Sequence, residues 1–164
     1  PHALWIARQI ASGLGALHDH GWLHGDLKPE NVLLDAAGHT TLIDLGMARS
    51  LPVAANSNLS GTPNYAAPEW SNAKLPAGSW SDIYSLGQTL LEMLGGKLPT
   101  DQGVLGVASG QAARQIRSSV PNLPRSVVEL LGRILASEPL RRPSAQELVN
   151  QLARLEIETL HERA

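Results

Sequence analysis

The sequence contains no cysteine, so neither a disulfide framework nor a thiolate metal site can form. That fits a reducing compartment, and the expected location is the cytoplasm, whether for a free protein or for the cytoplasmic part of a larger, membrane-anchored one. Charge is also sparse: 13 Lys and Arg against 15 Asp and Glu make up 17% of 164 residues and leave a net charge of −2. A protein that neutralises phosphates with clustered Lys and Arg carries a basic footprint, and this chain has none, so nucleic acid is not an expected partner. No run approaches the ~20 apolar residues of a bilayer span, and Pro1 is not followed by the basic and apolar regions of a signal peptide. What is present is a chain that is 43% hydrophobic, which excludes wholesale disorder and suits one domain with its own core. Lacking an initial Met, it reads as a piece of a longer protein.

Ile6, Ile10, Leu14 and Leu17 recur at helical spacing and predict a helix over about 2–20, stopped by Gly21. Short β-leaning runs at 31–34 and 40–43 flank Asp35-Ala36-Ala37-Gly38, which predicts a β-hairpin. The aperiodic stretch 49–63 is expected to be a functional loop. Ile83, Leu86, Leu90, Leu91 and Leu94 predict a mostly buried helix over 80–94, closed by Gly95-Gly96. A helix over 127–135 precedes Pro139, and Ser144 with Glu147 forms a capping-box pattern opening a last helix through Leu148, Leu152 and Leu155. Only a weak helical pattern, near 111–117, occurs between 100 and 122. Glu156, Glu158, Glu162 and Arg163 are expected on a solvated helix face.

The chemistry concentrates in His24-Gly25-Asp26-Leu27-Lys28-Pro29-Glu30-Asn31 and in Asp44-Leu45-Gly46. Taken singly, each acidic residue is equally at home as a turn or cap residue. Together they differ, because a hairpin returns the chain alongside itself and can bring Asp44 next to Asp26 and Asn31. Phosphoryl transfer requires oxygen ligands for Mg²⁺, a carboxylate that accepts the proton of an attacking hydroxyl, and a cation near the moving phosphoryl group. Asn31 and Asp44 are candidates for the metal (Mg²⁺, or Mn²⁺ in its place), Asp26 for the base and Lys28 for the cation.

These motifs, with Ala67-Pro68-Glu69, Ser81-Asp82-Ile83-Tyr84-Ser85-Leu86-Gly87 and Arg141-Arg142-Pro143 in the same order, resemble the C-terminal lobe of a eukaryotic-type serine/threonine protein kinase. The resemblance covers nearly the whole chain. It implies an α+β fold, mainly α, with a small β-hairpin and no N-terminal lobe: one domain over 1–164, with the catalytic loop at 24–31, the activation segment at 44–69 and the helical base at 80–163. It implies that Asp26 positions a substrate hydroxyl, that Lys28 approaches the γ-phosphate of ATP, and that Asn31 and Asp44 hold Mg²⁺. Lys28, Glu30, Asn31, Leu33 and Asp44 would face the nucleotide, Leu33 beneath the adenine, although Leu33 also suits a plain core strand. Thr62 would dock the acceptor beside Asp26 and Lys28. His24, Leu45 and Asp82 would link the catalytic loop, the metal loop and the central helix, and Glu69 would form a buried ion pair with Arg142. Asp-Leu-Lys-Pro-Glu-Asn is similar to the serine/threonine-specific form, which implies Ser or Thr acceptors on a protein substrate.

Two departures carry expectations. No Gly-rich phosphate loop, strand Lys or partner Glu stands upstream of Asp26, so the chain alone should bind ATP weakly and turn over negligibly until a missing N-lobe covers it. Gly25 replaces the Arg that many kinases place before the Asp, so phosphorylation of the loop, at Ser57, Ser60 or Thr62, is not expected to be required. A non-catalytic pseudokinase or docking module is the alternative reading. A small-molecule phosphotransferase shares the His-Gly-Asp triplet but lacks the Ala-Pro-Glu segment and its Arg anchor. Neither 58–65 nor 100–122 carries a charge pattern that selects a particular protein substrate.

Overall fold

A computed structural model describes residues 2–53, 61–71, 75–96 and 109–161, the side chains of 109–113 and 161 excepted. Helix α1, His2–Asp19, turns Leu4, Ala7, Ile10, Ala11 and Leu14 inward, a single apolar stripe at three- and four-residue spacing. Ile6 sits at the margin of that stripe, partly buried against the core. The chain leaves the helix through a turn closed by Gly21 N donating to His18 O at 2.9 Å.

Two short antiparallel pairs follow. Strand β1, Trp22–Leu23, pairs with β4, Arg49–Ser50, and β2, Val32–Leu34, pairs with β3, Thr40–Leu42, in the register Leu33 opposite Thr41. The hairpin loop is held by Asp35 Oδ1, which accepts from Ala37 N and His39 N at 2.8 Å each. Gly38 takes φ +88° there, and a Cβ on it would lie 2.5 Å from the Trp5 ring, so the loop docks flat on α1. The loop expected over 49–63 therefore begins as a strand, and Ser57 and Ser60 lie outside the described residues.

Helix α2, Ser79–Met93, is buried continuously from Ser81 to Leu91 and forms the centre of the molecule. It packs against α1 and against α4, Arg125–Ile134; α3, Ser109–Ser119, packs on α4, and α5, Ala145–His161, packs on α1. The capping box of α5 is closed: Ser144 N donates to Glu147 Oε2 at 2.8 Å, and Glu147 N to Ser144 Oγ at 3.3 Å. One expectation for α5 fails. Glu156 is not on a solvated face; its side chain is 16% exposed and accepts from Arg8 Nε at 2.6 Å, tying α5 to α1. Glu158 is exposed and accepts from Ser126 Oγ at 3.0 Å, while Glu162 and Arg163 lie outside the described residues. No helix among the described residues is long and apolar enough to cross a membrane.

Candidate active site

The segment after β1 is anchored at both ends. Leu23 and Leu27 are fully buried in the interior, while Asp82, at the start of α2 and 1% exposed, receives the backbone between them: His24 N donates to its Oδ2 at 2.8 Å and Gly25 N to its Oδ1 at 3.0 Å. A buried carboxylate needs such donors, since an unpaired charge in the interior costs several kcal/mol. His18 supplies a further contact, its Nε2 lying 2.8 Å from Asp82 Oδ2. His24 is fully buried, and its Nδ1 accepts from Asp26 N at a long 3.4 Å.

Thus anchored, the loop presents Asp26 to Lys28 and Thr62. Lys28 Nζ donates to Asp26 Oδ2 at 2.7 Å and to Thr62 Oγ1 at 2.8 Å, while Thr62 N and Oγ1 each donate to Asp26 Oδ1 at 2.9 Å. The three side chains close a triangle across 36 residues of sequence. Burial alone pushes the Asp26 carboxyl up, but the hydrogen bonds from Lys28 and Thr62 outweigh it and hold the group below the usual carboxylate range. The hydrogen bond to Asp26 in turn raises the Lys28 ammonium above its ordinary value, with Asp26, Glu30 and Asp44 adding attraction through space.

Pro29–Asn31 forms a single tight turn that drops the Asn31 side chain, 5% exposed, under the loop. Its Nδ2 donates to Asp26 O at 2.8 Å, which fixes the amide and turns the carbonyl oxygen the other way. Asn31 O accepts from Ile43 N at 3.0 Å, so the hairpin returns the chain beside Asn31 one residue before Asp44. Asp44 is exposed and adopts the left-handed conformation, φ 62°, with its Oδ1 accepting from Gly46 N at 3.2 Å. The cleft that Asp26 lines with Gly61, Thr62, Tyr65 and Trp70 does not include Asp44. Among the described residues no cluster of three His, Asp or Glu forms a metal cage.

Two residues sit differently from expectation. Leu45 is 52% exposed, and its carbonyl oxygen accepts from Ala48 N at 3.0 Å to close the turn after Asp44. Leu33 is 54% exposed, which removes the core-strand reading and leaves its side chain open on the hairpin. Glu30, also exposed, acts on the site through its field on Lys28 and on Tyr65.

Below the loop, Arg142 and Glu69 are joined by two parallel hydrogen bonds, Nη1 to Oε1 at 2.7 Å and Nη2 to Oε2 at 2.8 Å, with both side chains fully buried. Ser81 Oγ donates to Glu69 Oε1 at 2.7 Å, and Arg142 also reaches Ala136 O and Trp80 O and lies 4.9 Å from the centre of the Tyr84 ring. Tyr65 Oη donates to Glu92 Oε2 at 2.6 Å; burial, then that bond, raises its hydroxyl far above the ordinary value. Sequence reasoning missed Tyr65, His18 and Trp70. Nothing local marks them, since Glu92 is 27 residues from Tyr65 and Asp82 is 64 from His18.

Comparison with known proteins identifies the family. The protein kinase domain family matches residues 2–152. The chain is 36% identical over 168 aligned positions to serine/threonine-protein kinase pkn2 of Myxococcus xanthus, covering 92% of this chain and 20% of that protein. It is 38% identical over 151 positions to mitogen-activated protein kinase kinase kinase 1 of Arabidopsis thaliana, covering 87% of this chain and 24% of that protein. The chain thus spans about a fifth to a quarter of these relatives. With the match running from α1 into α5 and the Asp26 triangle inside it, the chain belongs to the protein kinase family.

Proposed function

We propose that these residues form the C-terminal lobe of a serine/threonine protein kinase which, when intact, transfers the γ-phosphoryl group of ATP to a Ser or Thr hydroxyl of a protein. The observation that carries this reading is the closed triangle of Asp26, Lys28 and Thr62. Asp26 stays ionised at neutral pH, as a base must, and is held at a fixed position by donors on both oxygens. The acceptor hydroxyl would give its proton toward Asp26 as its oxygen bonds to the γ-phosphorus. The bond from that phosphorus to the β-phosphate oxygen breaks, and ADP leaves with the electron pair. Lys28 supplies positive charge beside the moving group.

The donor set suits Mg²⁺. Asn31 and Asp44 offer hard oxygens, and a cation that keeps its waters and binds phosphates needs only one or two protein oxygens. Such an ion would neutralise charge on the phosphates, while these two residues would hold it. Exposed Leu33, Leu34 and Leu45 support a covering lobe over this end of the molecule. By this reading the 164 residues alone lack the parts that grip the α- and β-phosphates and do not turn over. The catalytic loop, activation segment and helical base take the bounds given above.

The test is to extend the coding sequence upstream and assay the longer protein on a Ser/Thr protein substrate with ATP and Mg²⁺. Asp26→Asn is expected to lower transfer about 10²–10⁴-fold. Full transfer by that variant, or by the isolated 164 residues, rejects the reading. Absence of an upstream Gly-rich strand-turn-strand and strand Lys favours the docking module instead.

A further inference from the structure

Two glycines stand one residue away from the triangle, Gly25 before Asp26 and Gly61 before Thr62, and one indole touches the space beside both. A Cβ on Gly25 would lie 3.6 Å from Trp70 Cη2, and a Cβ on Gly61 would lie 3.4 Å from Trp70 Cζ3. The opposite side of Gly25 is closed as well, since the same Cβ would lie 2.4 Å from Met47 O, and Gly25 takes φ +84°. The two loops approach so closely that a Cβ on Gly61 would be 3.3 Å from Gly25 O and 3.7 Å from Asp26 Oδ1. Trp70 itself is rooted in the buried turn Pro68–Trp70, next to Glu69 and its Arg142 anchor, and packs partly buried against the core.

The Trp70 Nε1 atom is buried and has no hydrogen-bond partner among the described residues. Among the described residues, therefore, no polar contact of this N–H accounts for the position of the ring. Its edge does, because it fills the gap that two side-chain-free residues leave between the loops. The bonds from Thr62 to Asp26 are polar and partly exposed, and each contributes only about 0.5–1.5 kcal/mol net. Shape filling one residue away restricts how the loops can slide.

We propose that Trp70 is a positioning residue of this kinase site: its indole, seated against Gly25 and Gly61, holds the 61–66 segment on the catalytic loop so that Thr62 and Lys28 stay on the Asp26 carboxylate. The inference rests on reading Asp26 and Thr62 as the acceptor-binding pair.

Amide hydrogen exchange on the 164-residue chain tests it without ATP or turnover. In Trp70→Ala the Thr62 amide, which donates to Asp26 Oδ1, is expected to exchange about tenfold faster, while the Leu135 and Leu148 amides of the helical core keep their rates. Trp70→Phe, which retains a flat ring, is expected to recover part of the protection. If Trp70→Ala does not fold, Trp70→Phe and Gly61→Ala carry the test, each with faster exchange at Thr62 and an unchanged core. Unaltered Thr62 exchange in the folded variants overturns the inference, and so does acceleration matched at Leu135 and Leu148, which would mean that Trp70 serves stability alone. Neither result bears on phosphoryl transfer, so failure here is distinct from failure of the Asp26→Asn assay.

Discussion

Replacing Arg142 with alanine removes four hydrogen bonds at once, two to Glu69 and one each to Ala136 O and Trp80 O, together with the contact to the Tyr84 ring. The fully buried Glu69 carboxylate is left with Ser81 Oγ as its donor among the described residues. Breaking a buried pair from one side costs about 3–5 kcal/mol, because the surviving charge has lost its compensation and cannot reach water. At roughly 2–4 °C per kcal/mol for a domain of this size, Tm falls by about 6–20 °C. Thermal unfolding followed by circular dichroism reads this directly. The double variant Glu69→Leu with Arg142→Leu is expected to lose less than Arg142→Ala, because it leaves no orphan charge and keeps apolar volume. A single variant that melts within about 2 °C of the parent, well under the shift for 1 kcal/mol per partner lost, would refute the reasoning.

Gly25→Ala places a methyl group 2.4 Å from Met47 O at φ +84°, and strain of this kind costs of order 1–3 kcal/mol, to be read as a lowered denaturant midpoint with an unchanged slope; an unchanged midpoint would show that the loops part freely. Asp26 has a depressed folded pKa, so its contribution is complete above the unfolded value and is lost as pH falls through the folded one. The Thr62 amide resonance should therefore titrate with a midpoint below the ordinary carboxylate range, and a midpoint at or above that range contradicts the triangle. Ser144→Ala opens the capping box of α5 and should lower stability by about 0.5–2 kcal/mol in chemical denaturation, with no loss ruling out a role for the cap.

The elements legible in the sequence are those whose determinants are local. The stripe Leu4, Ala7, Ile10, Ala11, Leu14 makes α1 by its spacing, Asp35 with Gly38 makes the hairpin loop by its own turn chemistry, and Ser144 with Glu147 starts α5 by pairing three residues apart. The spacing of Asp26, Lys28, Asn31 and Asp44 likewise marked a candidate site, of which the structure joins Lys28 and Asn31 to Asp26 by hydrogen bonds. Strands β1 and β4 have only two residues each and pair across the whole hairpin, too short for any periodicity to reveal. Exposure of Leu45 and the ion pair of Glu156 with Arg8 also depend on which surface faces which, and composition along a helix does not carry that.

By itself, then, the order of residues determined the helices, the hairpin and which residues were candidates for a site, because backbone hydrogen bonding and side-chain period act within a few positions. Only the tertiary structure decided that Thr62 closes on Asp26, that Asp82 meets His18 and the backbone of His24 and Gly25, and that Trp70 lies beside two glycines. Apart from Trp70 beside nearby Gly61, those contacts join residues 36 and more apart, and they form only when burial of α2 brings separate segments to one place.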